Sequence, residues 1–327
     1  MSPSPTSPQI PSPAHGPGWP PQEWPYPLRL VEVEAGQVSV VRAGPELEEE
    51  SRSSEPTLVF LHGTPTWSFL YRHFLQSLSR NRRVVAWDHL GFGQSDRPSD
   101  WGYRPEDHAR NMGRIMDALE LDQVILVLHD FGGPIGLDWA LDHPERVRGL
   151  VLFNTWMWSL EGTTAARMSR LLSGRLGRAL YRRNFSPRFL LPMGFADRNR
   201  LDRSTHQAYM DAFPDPDSRS GLWALARALT ESGAWYQANW ERRSALGRIP
   251  ALLLWGMKDP AFGSDALARW QEALPQAQAV PFPHAGHFVQ EEAPQEALQA
   301  MEAWLQEHFP LDRLPSSGDL QPPPPRS

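Results

Sequence analysis

An aspartate lies at a position where a strand, a sharp turn and a helix are predicted to follow one another. The apolar residues 124–128 lead to Asp130, and the pair Gly132 and Gly133 leads on into a helical segment at residues 134–141. This pattern is typical of a nucleophile elbow, which presents its central side chain above the end of a parallel sheet. The usual central residue is serine, and a carboxylate in its place predicts an alkyl ester intermediate. We therefore expect substrates that carry a leaving group on saturated carbon.

Two further side chains that could take part in this chemistry come directly after predicted strands. Asp259 follows an apolar strand at residues 249–255, and His287 follows a strand at residues 277–282. Loops at the carboxyl ends of parallel strands meet at one edge of a sheet, so they can bring these residues to Asp130. The order nucleophile, acid and histidine is that of the α/β-hydrolase fold. In this arrangement His287 takes a proton from water, and Asp259 fixes the imidazole tautomer.

Strand and helix patterns alternate through the middle of the chain. Short apolar or alternating runs predict strands at residues 28–33, 37–41, 57–61, 83–87, 124–128, 148–153, 249–255 and 277–282. Helical spacing predicts helices at residues 67–78, 105–119, 134–141, 264–274 and 294–308. This alternation predicts a mostly parallel eight-stranded sheet with helices on both faces. Together with the elbow and the order of Asp130, Asp259 and His287, it indicates an α/β-hydrolase fold.

The rest of the chain divides into one insertion and two tails. Residues 155–235 are rich in arginine and large apolar residues and show no strand pattern, which predicts a helical cap over the carboxyl ends of the strands. The cap separates two parts of the core, residues 28–154 and 236–310. Residues 1–27 and 311–327 are rich in proline, so we expect disordered tails there.

Composition narrows the class of protein. The 327 residues are 40% hydrophobic, carry a formal net charge of -6 and include no cysteine, so disulfides, thiol catalysis and cysteine-bound metals are excluded. The mild charge shows no lysine or arginine block, and we expect neither nucleic acid nor a membrane as a partner. The first residues show neither the positive nor the apolar region of a signal peptide, and no apolar run approaches ~18 residues, so we expect neither a signal peptide nor a membrane span. We predict a cytoplasmic enzyme for a small apolar substrate, and the sequence gives no indication of its oligomeric state.

Several motifs together resemble the haloalkane dehalogenases, in particular the branch whose catalytic acid follows the seventh strand. The resemblance covers residues 24–310. The matching motifs are HGTPTWSFLYR at 62–72, DHLGFGQSD at 88–96, HDFGG at 129–133, GMKD at 256–259, GHFVQE at 286–291 and the cap stretch AYMDAFP at 208–214. The resemblance implies Asp130 as nucleophile, His287 as base and Asp259 as the partner of the base. It also implies an oxyanion bound by the backbone N–H groups of Thr64 and Phe131, and chemistry without metal or organic cofactor.

The halide-binding positions differ from those of the family. The resemblance implies a halide held between a tryptophan just after the nucleophile and an asparagine, glutamate or cap tryptophan. Here the corresponding residues are Phe131 and Thr64. Loss of one donor is worth ~1–3 kcal/mol, so we expect turnover of chlorinated substrates to fall by tens to hundreds of fold. Candidates for a substitute halide or substrate contact are Trp156, Trp158 and Trp67.

Other activities use related sites. An epoxide hydrolase would use the same aspartate and would need acids for the ring oxygen, for which Tyr181, Tyr209 and Tyr236 are candidates. A fluoroacetate-type dehalogenase has arginine directly after the nucleophile, where this chain has Phe131. A binding protein without turnover would not require the complete triad. Asn154, at the place where other branches keep their acid, is predicted to be a turn former.

Overall fold

A single sheet organises the fold. The computed structural model describes residues 24–45 and 55–311. Its strands are β1 (Leu30–Val33), β2 (Gly36–Ala43), β3 (Thr57–Leu61), β4 (Val84–Trp87), β5 (Val124–Asp130), β6 (Val147–Thr155), β7 (Ala251–Gly256) and β8 (Gln278–Phe282). They form an 8-stranded sheet in the order β1-β2-β4-β3-β5-β6-β7-β8. β2 is antiparallel to both neighbours and all the other pairs are parallel, so the predicted fold is confirmed.

Helices connect the strands and cover the sheet. In the described part of the chain they are α1 (Arg72–Leu78), α2 (Pro105–Ala118), α3 (Gly132–Asp142), α4 (Thr164–Leu172), α5 (Arg175–Arg182), α6 (Leu191–Met193), α7 (Arg203–Asp211), α8 (Ser220–Glu231), α9 (Gly233–Glu241), α10 (Ser264–Ala273), α11 (Val289–Glu292) and α12 (Pro294–His308). Every residue of β3, β4, β5 and β7 is buried. Continuous apolar strands of this kind arise where a parallel sheet is covered on both faces.

The segment between β6 and β7 is helical. It contains α4 to α9 and no strand among its residues, all of which are described. Residue 235, where the sequence places the end of the helical segment, lies inside α9, and the bounds of the cap stay a prediction. That helix continues to Glu241 because Trp240 packs against Trp158 and Trp270, with ring centroids 5.0 and 5.5 Å apart. Within residues 24–45 and 55–311, no helix has the length and apolar character needed to cross a membrane.

The start of the described chain corrects the prediction of a disordered tail over residues 1–27. Trp24 is only 3% exposed, and its ring lies 5.1 Å from Trp67 and 6.0 Å from Phe69. Burial of an indole removes a large apolar area from water, which fixes this part of the chain on the core. Residues 1–23 and 312–327 lie outside the described residues, and for them the tails remain predictions.

A buried ion pair ties the helical segment to the core. Arg72 of α1 donates to both carboxylate oxygens of Glu291 in α11, at 2.6 and 2.8 Å. The side chains are 5% and 4% exposed. The hydroxyl of Tyr209, in α7, donates to the same carboxylate. One carboxylate therefore connects a helix of the core, the helix after the His287 loop and a helix of the inserted segment.

Candidate active site

Asp130 occupies a tight turn at the end of β5. Its φ of 50° lies in the left-handed region, which costs a residue other than glycine roughly 1–3 kcal/mol. The turn is possible because Gly133 has no side chain: a Cβ there would lie 1.7 Å from Thr155 Oγ1. Thr155 Oγ1 in turn donates to the carbonyl oxygen of Asp130 at 2.6 Å. The hydrogen bond from Thr155 thus stabilises the strained turn and fixes the position of Asp130.

The loop after β3 contacts the Asp130 carboxylate directly. The backbone N–H of Thr64 donates to Asp130 Oδ1 at 2.8 Å. A Cβ at Gly63 would lie 2.2 Å from the same oxygen, so only glycine permits this approach. One oxygen of the carboxylate is therefore bound by the backbone before any substrate arrives. Gly63 is part of the motif at residues 62–72, but the motif alone did not predict that this glycine lies against the carboxylate of Asp130.

His287 lies between two carboxylates. Its Nδ1 is 2.7 Å from Asp259 Oδ2, and its Nε2 is 3.6 Å from Asp130 Oδ2. The residue belongs to the loop between β8 and α11, and its backbone N–H donates to Gly194 O at 2.7 Å. The three residues predicted from separate strand ends thus meet at one edge of the sheet, and the segment after α6 touches the histidine loop.

Asp259 is surrounded by hydrogen-bond donors. Besides His287 Nδ1, its Oδ2 accepts from Asn154 Nδ2 at 2.9 Å, and its Oδ1 accepts from Ala261 N at 2.7 Å. The Asn154 amide also donates to Gly256 O at 3.0 Å. Asn154 has a φ of 22°, as a turn former can, but its side chain also orients the acid. The sequence analysis did not predict that Asn154 orients Asp259. The position of Asn154 at a strand end was the one feature that could have indicated it.

The charges of these groups stabilise one another. Burial disfavours the charged imidazole of His287, but Asp259 and Asp130 outweigh this effect and raise its pKa to about 10. Burial would likewise raise the pKa of Asp259, yet the nearby His287 holds it below the usual value. The resting site therefore contains an imidazolium between carboxylates. This arrangement places a proton on Nε2, the nitrogen that faces Asp130.

The raised pKa of His287 predicts a pH dependence of stability. The folded value of about 10 exceeds the ordinary value of 6.5, so the stabilisation is complete below pH 6.5 and is lost as the pH rises towards 10. Urea unfolding of the wild type and of His287→Gln, followed across this range, should show a decline in the free energy of unfolding that the variant lacks. Parallel curves for the two proteins would contradict the assignment.

An aromatic cluster adjoins the nucleophile. The Phe131 ring lies 4.9 Å from Trp156, which stacks on Phe262 at 4.6 Å and meets the edge of Tyr236 at 5.7 Å. Within the described residues, three buried donors of this region have no hydrogen-bond partner, namely Thr64 Oγ1, the Trp156 indole N–H and the Tyr236 hydroxyl. Buried polar atoms are normally paired. These three groups therefore have hydrogen-bond donors that no protein atom of the described residues occupies.

The other two candidate tryptophans lie in different surroundings. Trp67 stacks on Phe69 at 5.3 Å, beneath Trp24. Trp158 packs between the rings of Trp240 and Trp270, and its face is covered by the Arg269 guanidinium at 4.4 Å. Both are thus part of aromatic packing, whereas Trp156 contacts the residue that follows the nucleophile.

The tyrosines proposed as ring-opening acids are separated. Tyr209 donates to Glu291, and Tyr181 packs against Phe185 with ring centroids 6.3 Å apart. Only Tyr236 of the three lies against the cluster around Phe131. Burial raises the pKa of the Tyr236 hydroxyl well above its ordinary value, and the charges of Glu106 and Asp130 raise it further. The pair of acids that an epoxide hydrolase needs is therefore not assembled from these residues.

The neighbouring histidines have structural roles. His62 Nδ1 lies 2.8 Å from Gly63 O, and His62 Nε2 accepts from His89 N at 3.0 Å. His129 Nε2 lies 3.0 Å from His287 O. Burial lowers the pKa of His129 to about 3 and that of His62 well below its ordinary value, so both rings stay neutral. In the described residues, no group of three or more histidine, cysteine, aspartate or glutamate side chains could hold a metal.

The protein has the architecture of an α/β hydrolase, with the sheet order, the strained elbow and three converging strand ends of that class. The family described as alpha/beta hydrolase fold matches residues 56–294. Haloalkane dehalogenase 2 of Mycobacterium tuberculosis is 35% identical over 86% of this chain and 96% of its own length. The chain belongs to the haloalkane dehalogenase family, as the motifs predicted, and it is a hydrolase.

Two more relatives extend the comparison. The crystal structure of haloalkane dehalogenase DatA from Agrobacterium tumefaciens is 29% identical, with a TM-score of 0.74, and covers 86% of this chain and 96% of that one. Cis-3-alkyl-4-alkyloxetan-2-one decarboxylase of Shewanella oneidensis is 27% identical over 81% of this chain and 87% of its own. The family likeness thus extends to proteins named for two different reactions.

Proposed function

We propose that this protein cleaves the carbon–halogen bond of haloalkanes through a covalent ester on Asp130. The observation that carries the proposal is the orientation of this carboxylate. Its Oδ1 accepts the N–H of Thr64 at 2.8 Å, while its Oδ2 faces Nε2 of His287 at 3.6 Å. One oxygen is thus bound by a backbone donor and the other is available to attack carbon.

In the first step Oδ2 attacks the carbon that bears the halogen. A carbon–oxygen bond forms, the carbon–halogen bond breaks, and the halide leaves with the bonding electrons. The unpaired indole N–H of Trp156 and the unpaired hydroxyls of Thr64 and Tyr236 are the donors we assign to the halide. They would replace the indole N–H that is missing because this chain has Phe131 where the family has tryptophan. The ring of Phe131 still offers its positive edge to the halide.

In the second step His287 acts as a base. Esterification removes the charge of Asp130, which is one of the causes of the raised pKa of His287, so that pKa falls and the imidazolium loses its Nε2 proton to solvent. The neutral imidazole then accepts a proton from water. The hydroxide attacks the ester carbonyl, and the oxyanion forms at Oδ1, next to Thr64 N. The Phe131 N–H, at the start of α3, is the second donor, and each donor is worth roughly 3 kcal/mol in comparable sites. On collapse the ester bond breaks, the alkoxide takes the proton held by His287 and leaves as the alcohol, and the new carboxyl group passes its proton to His287, which restores the carboxylate of Asp130.

The helical segment between β6 and β7 would act as the cap of this site. Its Tyr236 packs against Trp156, and its Gly194 accepts the backbone N–H of His287. Asp130 and His287 are 6% and 9% exposed, so a substrate must enter a largely closed and apolar space. We infer a small apolar substrate, since such a space would discriminate against charged molecules.

A second candidate function is decarboxylation of a β-lactone, the reaction for which the Shewanella oneidensis relative is named. Phe131 and Thr64 favour the decarboxylase, because they stand at the two positions where the dehalogenase family has its halide-binding side chains and neither side chain offers an N–H. Attack by Asp130 on the ring carbon would break the carbon–oxygen bond and free a carboxylate. Loss of carbon dioxide would then form the alkene from the carbon–carbon bonding pair and release Asp130. No water is consumed in this route.

A trapping experiment tests the proposed reaction. We expect the variant His287→Phe, incubated with 1-bromobutane, to gain the mass of a butyl group on Asp130, because attack proceeds and hydrolysis does not. Intact-protein and peptide mass spectrometry would detect the adduct. In parallel, the wild type would be incubated with 1-bromobutane and with a cis-3,4-dialkyl oxetan-2-one, and bromide, alcohol and alkene would be measured.

The matched control is His284→Phe, which makes the same change in the same loop at a side chain that is 48% exposed. It should turn over like the wild type and carry no adduct. Alkene without bromide release would replace the dehalogenase with the decarboxylase. Absence of an adduct and of every product would overturn both enzymatic proposals in favour of a binding role.

A further inference from the structure

One stretch of the helical segment differs in charge from the rest of the protein. Residues 162–196 contain seven arginines and no lysine, aspartate or glutamate, whereas the whole chain has a net charge of -6. All seven arginines are exposed: Arg167, Arg170, Arg175, Arg178, Arg182, Arg183 and Arg188. Two of them form an ion pair with a carboxylate of the described residues, Arg170 with Glu161 and Arg182 with Asp217. The stretch therefore carries an excess of exposed positive charge in a protein whose net charge is negative.

The same stretch exposes most of the large apolar side chains at the described surface. Of six such side chains, five belong to it: Met168, Leu171, Leu176, Phe189 and Met193, which are 45, 72, 76, 51 and 56% exposed. The sixth is Leu30 in β1. Single exposed apolar residues need no explanation, but their concentration in one segment marks an interaction surface. We call this cationic and apolar surface of residues 162–196 the arginine face.

Exposure of these residues does not come from loose packing. The inner side of α4 is fixed to α8, since Ser169 Oγ donates to Ala226 O at 2.6 Å. The Trp223 indole of α8 donates to Leu172 O at 3.1 Å. On α4, Met168 and Leu171 are three residues apart and so share the opposite side of the helix. Met168 and Leu171 are therefore exposed on the outer side of a helix that is fixed to α8.

The chemistry of the face selects its partner. Apolar side chains flanked by arginines suit the boundary between headgroups and acyl chains of an anionic membrane. A second copy of the same face would bring two strongly positive surfaces together, and nucleic acid offers little to exposed leucine and methionine. We propose that the arginine face binds the protein peripherally to anionic lipid bilayers, with the helices lying on the membrane and not crossing it.

Binding to a bilayer through the arginine face would affect how apolar substrates reach the active site. Met193, in the face, is followed by Gly194, whose carbonyl accepts the backbone N–H of His287 at 2.7 Å. Apolar substrates concentrate in lipid, so a protein docked by this face would meet them beside its own active site. Binding to the bilayer does not depend on the proposed reaction, and it can be measured without substrate.

Flotation with vesicles tests the proposal. We expect the full-length wild type to float with phosphatidylcholine vesicles that contain phosphatidylglycerol, to remain behind with phosphatidylcholine alone, and to detach as salt is added. One arginine near an anionic surface is worth roughly fivefold in affinity. The pair Arg175→Glu and Arg183→Glu should therefore weaken binding by about 25-fold or more. Leu176→Gln should weaken binding at low salt without changing how steeply binding falls as salt is added.

Matched controls make the same substitutions away from the face. They are Arg29→Glu with Arg80→Glu, and Leu30→Gln, all at exposed positions. These variants should bind like the wild type, and circular dichroism would verify that every variant is folded. The proposal is overturned if the wild type does not float with anionic vesicles, or if the control pair loses as much binding as the pair in the face.

Discussion

Replacing Asp259 with asparagine is expected to lower the turnover of 1-bromobutane by about 10⁴-fold. Both carboxylate oxygens accept hydrogen bonds only: Oδ2 from His287 and Asn154, Oδ1 from Ala261 N. An asparagine has one acceptor oxygen, so its amide group must face one of these donors. If it faces His287, it forces the wrong tautomer, and if it faces Ala261, a part-buried backbone N–H loses its partner. Halide release in the steady state would measure the effect.

The exposed residue Asp265, in the first turn of α10, provides the control for this change. Asp265→Asn should leave turnover unchanged. Intact mass should also show the butyl ester accumulating in Asp259→Asn, since attack by Asp130 does not require the acid. Turnover within a few fold of the wild type would mean that His287 is oriented by other groups.

The second large effect concerns stability. Arg72→Met should lower the free energy of unfolding by ~3–5 kcal/mol, because it leaves the carboxylate of Glu291 buried without its cation. The double variant with Glu291→Met should regain much of this loss, since a pair of apolar side chains does not require desolvation of a charge. Urea denaturation followed by tryptophan fluorescence would give all values.

An exposed ion pair serves as the reference for this prediction. Arg114 and Glu34 are 2.7 Å apart, with side chains 47% and 63% exposed. Arg114→Met should cost no more than about 1 kcal/mol. If Arg72→Met lowers the free energy of unfolding by no more than Arg114→Met does, the buried pair Arg72–Glu291 stabilises the protein no more than an exposed ion pair. The hydrogen bond from Tyr209 to Glu291 would then have no role in holding the helical segment.

The sequence was sufficient for most of the core. The strand Thr57–Leu61 and the helix Pro294–His308 have the predicted bounds, because each apolar pattern ends at a clear polar or proline boundary. Trp24 was assigned to a tail because prolines surround it, and its partner Trp67 is distant in sequence. Burial of a single indole depends on tertiary contacts that local composition does not contain.

The same limit applies to the site. Asp130, Asp259 and His287 could be selected because strand ends converge in a parallel sheet. Trp156 and Trp158 could not be distinguished, since both follow β6 in irregular chain where side-chain direction has no period. The arginine face was equally hidden, because its arginines are spread through residues 162–196 and never form a block. Only the fold shows that they share exposure with apolar neighbours.

Asn154 has a consequence for how enzymes of this kind change over evolutionary time. Its amide nitrogen lies 2.9 Å from the carboxylate oxygen of Asp259 that binds the histidine, at the strand end where other branches keep their acid. An ancestor could acquire aspartate at position 154 by a single substitution and hold two acids that share one proton. The end of strand β6 therefore already borders the acid that binds the histidine, and a second carboxylate there would lie directly against the first.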